Sequence, residues 1–200
     1  MSEFIDIEQN SEEWDGVRLG KFTASTFSDL FADTKTAAYN KAIAKVVYER
    51  ITGEAYAFYY TNKRMEAGHD LENLAREHYE LLTFNTILNG GFFRYSDFVG
   101  CSPDGRIEGE NGGVEYKSRD PHVYFEYLKS GKLPSTNKWQ VHGQILCCDF
   151  DFIDYMPYCH PNLKTLIIRV ERDETILNQL KEKLEESIEI VKQQIKIYTA

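Results

Sequence analysis

Two hundred residues, 42% hydrophobic and 28% charged, form an ordinary globular chain long enough for one domain with a substantial core. The formal charge of −9 excludes indiscriminate binding to polyanions, which draws chiefly on clustered positive charge. No apolar run reaches membrane-span length, and the acidic start from Met1 to Asp6 lacks the apolar stretch of a secretory signal, so a soluble, intracellular protein without a membrane partner is expected. Cys101, Cys147, Cys148 and Cys159 fit neither a zinc spacing nor a disulfide framework and read as reduced, semi-buried thiols.

In chain order, Ser11 followed by Glu12 and Glu13 predicts a helix over 11–20. Thr23-Ala24-Ser25 opens a short helix to about Phe31. Ala42, Ile43, Val46 and Val47 stand at helical spacing over 38–52, and Gly53 ends that helix. Residues 54–64 are aromatic and irregular, with Tyr56, Phe58, Tyr59 and Tyr60 ahead of Lys63 and Arg64. A long helix is predicted from about Met65 to Leu82, packing through Leu71, Leu74, Ala75, His78 and Leu81 or Leu82. Strands follow at roughly 86–88, 92–99, 102–107 and 113–118, separated by Gly90-Gly91 and by turn residues from Glu108 to Gly113. Helices at 121–130, with Pro121 in the first turn, and at 137–149 precede strands at 152–158 and 165–171, joined by a turn at His160-Pro161-Asn162. A closing helix from about Asp173 to Ile197 carries Leu177, Leu180, Leu184, Ile188, Val191 and Ile195 on one stripe, expected to pack on its own domain. No linker divides the chain. The expected fold is α/β, a single domain over residues 1–200 with a central mixed β-sheet flanked by α-helices.

Two segments carry the chemistry: Gly100-Cys101-Ser102-Pro103-Asp104-Gly105 and Gly113-Val114-Glu115-Tyr116-Lys117. A strand sends residues i and i+2 to one face, so Glu115 and Lys117 stand side by side, with Asp104 arriving from the other arm of a hairpin. Two carboxylates beside an ammonium suit a divalent metal and a phosphodiester. Magnesium needs only one or two carboxylates plus water and phosphate oxygens, and the backbone carbonyl of Tyr116 is a further oxygen between two residues aimed at the site. Lys117 would orient or deprotonate a water, or offset charge on the phosphate. Taken alone, such a set also fits solvated charges at a strand end.

Other groups stand open between two readings. Gly68 is costly in a helix unless something approaches closely, and Glu72 one turn beyond is either part of a site or an exposed acid paired with Arg76. Arg18, followed by Thr23 and Ser25 at a helix start, either grips an anion or lies at the surface beside a simple cap. Gln140 and Gln144 share a helix face, with Gly143 permitting close approach. They either hold a phosphate, a water or a base, or face solvent.

The order of these motifs resembles the lambda-type exonucleases, the viral recombination or alkaline exonucleases of the PD-(D/E)xK nuclease superfamily. The resemblance rests on Arg18-x-Gly20-x-x-Thr23-Ala24-Ser25, Gly68-x-x-x-Glu72-x-x-Ala75, Ser102-Pro103-Asp104-Gly105, Glu115-x-Lys117 and Gln140-Val141-His142-Gly143-Gln144, over about residues 10 to 172. It implies a restriction-endonuclease-like core and magnesium-dependent 5′→3′ digestion of one strand of linear double-stranded DNA for recombination. It implies that Asp104, Glu115 and the Tyr116 carbonyl hold metal, that Glu72 serves a second Mg2+ or its waters, and that Lys117 assists the attacking water. Mn2+ would substitute. Arg18, Ser25, Ser102 and Gln140 match positions that grip a terminal 5′ phosphate. Partners implied are linear duplex DNA with 5′-phosphate ends, two further copies in a three-fold ring, and a single-strand annealing protein; a phage-encoded chain would act in the host cytoplasm. The sequence departs from the family at His142, where a second Gln is common, and at Tyr116, where an aliphatic residue is usual. Competing readings are an endonuclease of the same superfamily, including an iron–sulfur type that the cysteine spacing does not fit, and a non-catalytic module that holds DNA ends.

Overall fold

A computed structural model describes residues 2–56 and 63–200; for residues 63–70 it describes the helix but not the side chains. The irregular aromatic stretch at 54–64 therefore falls largely outside the described residues, as do the surroundings of Gly68.

The chain opens with strand β1 (Glu3–Ile5) and helix α1 (Glu12–Arg18), whose N-cap is Ser11 accepting from the Trp14 N–H. Strand β2 (Phe22–Thr23) leads through a 3-10 turn, Ala24–Thr26, into α2 (Phe27–Leu30) and α3 (Ala37–Thr52). Helix α4 (Lys63–Thr83) is followed by β3 (Ile87–Leu88), β4 (Phe92–Ser96), β5 (Val99–Cys101), β6 (Gly105–Ile107) and β7 (Gly112–Ser118). Helix α5 (Pro121–Ser130), a 3-10 turn at Ser135–Asn137, α6 (Lys138–Cys148), β8 (Phe152–Tyr158), β9 (Ile168–Glu171) and α7 (Glu174–Tyr198) complete it.

The α/β expectation holds, with one difference: the described strands form two mixed sheets rather than one. A five-stranded sheet runs β3-β6-β7-β8-β9, with β7 and β8 parallel and the other pairs antiparallel. A four-stranded sheet runs β1-β4-β5-β2. Neither β1 nor β2 is foreseen from sequence, because three and two residues are too few to show a period. The predicted strand at 92–99 breaks at a turn into β4 and β5, with a register shift between Arg94 and Ser96. The predicted strand at 102–107 begins only at Gly105, so Ser102-Pro103-Asp104 is a loop.

Two apolar clusters hold the layers together. The larger joins α2, α3, α6 and the inner face of α7 to β2, β5 and β8. Leu177, Leu180, Leu184 and Val191 of α7 are buried in it, as the stripe predicts. The smaller cluster sets Ala75 and Tyr79 of α4 against Val114, Tyr116, Phe152 and Met156. This corrects the predicted face of α4: Leu71, Ala75 and Tyr79 face the sheet, while Leu74, Leu81 and Leu82 are exposed. Gly143 lies where a Cβ would come within 2.4 Å of the Phe27 ring, so its absence lets α6 close on α2. That closure brings the polar face of α6 over β7.

Candidate active site

Asp104 stands where the loop enters β6. Its backbone N–H donates to the Val114 carbonyl (3.1 Å), and its Oδ2 accepts from the Tyr116 N–H (2.6 Å). Strand β6 pairs with β7 at Gly105↔Val114 and Arg106↔Gly113, so beyond Val114 the aspartate takes the place of a strand partner. In an extended strand a residue's N–H and C=O leave on the same side, so the Tyr116 carbonyl faces the edge that Asp104 occupies.

Glu115 is fully buried. Its Oε1 receives Lys117 Nζ and the Gln140 Nε2 (2.5 Å), and its Oε2 accepts from Gln144 Nε2. Among the described residues the Gln144 Oε1 is buried without a hydrogen-bond partner, and Gln144 lines the same cleft. Burial alone would lower the Lys117 pKa; the charges of Glu115 and Asp104 outweigh it and raise the pKa, so the amine stays protonated. Asp104 is pushed well above the usual carboxylate range, first by burial and then by repulsion from Glu115, with Glu72 adding to it against Lys117 and the Tyr116 N–H.

The same cleft is lined by Arg18, Thr23, Ser25 and Ser102. Trp14 ties two of them together: its Nε1–H donates to Ser102 Oγ (2.7 Å), and the Arg18 guanidinium stacks 3.6 Å over its ring. The Arg18 side chain is half-buried and Ser25 is exposed, its Oγ 3.3 Å from Thr23 Oγ1. Buried Glu49 accepts from the Gly20 N–H (2.8 Å), and Arg50 donates to the Gly20 carbonyl (2.8 Å). Gly20 takes the left-handed backbone (φ 66°) that this turn requires, and a Cβ there would strike Arg50.

Nine residues singled out from sequence therefore share one cleft: Arg18, Thr23, Ser25, Ser102, Asp104, Glu115, Lys117, Gln140 and Gln144. Gln140 is bonded to Glu115, so it stands with the acidic centre. Glu72 lies on an adjoining open cleft, also lined by Gln9, Asn73, Arg76 and Asp104, and its charge acts on Asp104. Arg76 turns to Glu80 (3.8 Å) and to the Ile87 carbonyl. Two lining residues carry no sequence assignment of their own. Trp14 is one of them. Gln9, whose Nε2 donates to the Pro103 carbonyl (2.7 Å), has no local signal at all.

Among the described residues no group of three or more His, Cys, Asp and Glu side chains closes around a metal unaided. A Mg2+-like ion asks less, since water and substrate oxygens fill most of its shell. The donor set fits that demand. It is all oxygen, two carboxylates face one ammonium, and a cation would relieve the repulsion that forces Asp104 toward protonation.

The model of the YqaJ-like viral recombinase domain matches residues 13–151. The chain belongs to that family. The matched region of the YqaJ-like domain holds every residue of the cleft except Gln9. Among curated proteins, none matches the chain in sequence. Among solved structures, an alkaline exonuclease from Laribacter hongkongensis, LHK-Exo, is 26% identical, with a TM-score of 0.85 over 94% of this chain and 96% of that one. The same enzyme in complex with dAMP is 27% identical over the same shares, again at 0.85. A phage-related exonuclease from Haemophilus somnus 129PT shares the fold at 14% identity, with a TM-score of 0.68 over 89% of this chain and 96% of that one. The YqaJ-like chain thus has an alkaline-exonuclease fold and the family character of a nuclease.

Proposed function

We propose that residues 1–200 act as one magnesium-dependent exonuclease domain that removes mononucleotides 5′→3′ from one strand of linear double-stranded DNA, from 5′-phosphorylated ends, in recombination. The observation that carries this reading is the single cleft joining Arg18, Ser25 and Ser102 to Asp104, Glu115 and Lys117. Groups suited to gripping an anion would then lie in the same cleft as an acidic centre with an ammonium, as cutting one nucleotide in from a phosphorylated end requires.

Asp104, Glu115 and the Tyr116 carbonyl would hold Mg2+, with Glu72 serving a second ion or its waters, and Mn2+ would substitute. A bound divalent ion supplies a Lewis acid for the phosphoryl oxygens and a more acidic water. The chain's own groups supply the rest. Lys117, kept protonated by Glu115 and Asp104, donates to the attacking water and offsets charge developing on the phosphate. Gln140 and Gln144 lock the Glu115 carboxylate in one orientation. Arg18 supplies a planar fork for the terminal phosphate, and Ser25 and Ser102 supply hydroxyls. Gln140, in the same cleft, would complete that grip. By family resemblance, three copies form a ring around the duplex and a single-strand annealing protein receives the product strand. A basic channel in such a ring would reconcile the net charge of −9 with a polyanionic substrate.

The test uses linear duplexes labelled at either end, with and without a 5′ phosphate, beside a covalently closed circle. The expected result is Mg2+-dependent mononucleotide release from 5′-phosphorylated linear DNA and an intact circle. Discrete fragments from the circle would establish an endonuclease, and tight binding without hydrolysis a DNA-end-binding module.

A further inference from the structure

Glu115, Lys117 and Arg119 occupy positions i, i+2 and i+4 along β7 and its continuation, so they share one face of the sheet. The pairing with β8 extends that far, since the Arg119 N–H donates to the Tyr158 carbonyl (2.8 Å). Lys117 already lines the cleft beside Glu115. Arg119 stands one step further, about 6.6 Å along the strand, which is of the order of one nucleotide of backbone.

The surroundings of Arg119 are neutral. Its guanidinium donates to the Ser118 carbonyl (3.0 Å), to Asn137 Oδ1 (3.3 Å) and to the Tyr155 hydroxyl (3.3 Å), and lies 5.9 Å from the Tyr127 ring centre. Among the described residues no carboxylate pairs with it, whereas Arg94 and Arg169 each have one and Arg172 has two. Asn137 is buried, and its Oδ1 also accepts from Tyr155 (3.2 Å) and Thr136 (3.3 Å), which makes the anchor rigid. The Tyr155 hydroxyl also feels Lys117, so both cations border one buried phenol. A permanent half-buried charge is thus fixed in place, uncompensated, in a chain that carries nine excess negative charges. Three of its five N–H groups are engaged, and two remain for a ligand.

We propose that Arg119 binds the second phosphodiester from the 5′ end, the linkage next to the bond being cut, and so sets the register of the strand in the site. This rests on the exonuclease reading of the cleft. The strand would enter with its terminal phosphate at Arg18, its scissile linkage at Asp104, Glu115 and Lys117, and its next linkage at Arg119.

The experiment measures kcat and KM on a 5′-phosphorylated duplex across a salt series at constant Mg2+, for the wild type, Arg119→Gln and Arg119→Lys. A parallel arm gives the wild type a duplex with a neutral methylphosphonate at the second linkage. Arg119→Gln is expected to raise KM about tenfold with kcat nearly unchanged, and to flatten the slope of log(kcat/KM) against log[salt] by about one unit. Arg119→Lys keeps the charge and is expected to keep the slope. The neutral linkage is expected to raise KM as Arg119→Gln does. Loss of packing alone would leave the salt slope where it is. Unchanged KM and slope in Arg119→Gln, or undiminished kcat/KM on the neutral linkage, would overturn the proposal. The substrate arm decides by itself if the variant does not fold. A wild type that leaves the unmodified duplex intact would bring down the exonuclease reading, and this proposal with it.

Discussion

Neighbouring strands β7 and β8 each bury a carboxylate, and the two are handled in opposite ways. Asp154 on β8 is 3% exposed and fully compensated: Arg169 grips it with two hydrogen bonds of 2.9 Å, and the Tyr79 hydroxyl donates at 2.8 Å. Glu115 on β7 is buried as deeply, but two of its three donors are neutral amides, and a second carboxylate, Asp104, lies beside it. One charge is neutralised inside a closed network. The other is part of a surplus that faces a cleft. Burial of an acid therefore does not mark a site here; uncompensated acid against open space does.

The same chemical change at both places breaks the comparison most sharply. Asp104→Asn keeps an acceptor for the Tyr116 N–H and removes a repelled charge, so folding stability of the metal-free protein is expected to hold or rise. Its nuclease rate is expected to fall by about 10²–10³-fold or more. Lys117→Ala is expected to lose activity on the same scale. Asp154→Asn should do the reverse. It strands Arg169 and is expected to cost about 3 kcal/mol in chemical denaturation, the low end for a broken buried pair because Arg169 is 45% exposed, with activity per folded molecule retained.

Metal addition sharpens the contrast at the next scale. The Asp104 pKa is raised in the fold, so the native state holds its proton more tightly than the unfolded chain does. Stability of the metal-free protein therefore falls as pH climbs from the ordinary carboxylate range through that raised value. A divalent ion replaces the proton. Thermal melts with Mg2+ or Mn2+ are expected to show stabilisation of about 2.7 kcal/mol at a hundredfold excess over Kd at pH 8, and much less at pH 5. At the same metal concentration Asp104→Asn should cut the pH 8 effect to about half or less, as a Kd weakened at least tenfold requires, and Asp154→Asn should leave it intact.

The smallest effect is expected at the anion grip. Trp14→Phe keeps a ring under Arg18 but cannot donate to Ser102. The loss of one neutral hydrogen bond, about 1 kcal/mol, is expected to cut the preference for 5′-phosphorylated over unphosphorylated ends about fivefold. A competition digest of the two ends reads it directly.

How far the sequence reveals these features depends on how local they are. The hairpin that aligns Asp104 with Glu115 and Lys117 is legible because a turn and a two-residue period fix it within a dozen residues. The α7 stripe is legible for the same reason, and it packs on α3 and α6. The buried face of α4 is not legible, because helical spacing offers several apolar arcs, including one through Leu74, Leu81 and Leu82, and only the sheet selects the one through Ala75 and Tyr79. β1 and β2 are too short to carry a pattern and exist because β4 and β5 offer free edges. Asp154 carries no local signal because its partners, Tyr79 and Arg169, are 75 and 15 residues away. Trp14 and Ser102, 88 residues apart, are joined only by the fold.

Calorimetric titration of Mn2+ at pH 8 separates a divalent-metal centre at Asp104 and Glu115 from a merely crowded pair of acids. A metal centre there gives saturable binding to the wild type and to Asp154→Asn, weakened at least tenfold in Asp104→Asn. Binding that is absent from the wild type, or that survives undiminished in Asp104→Asn, would contradict it.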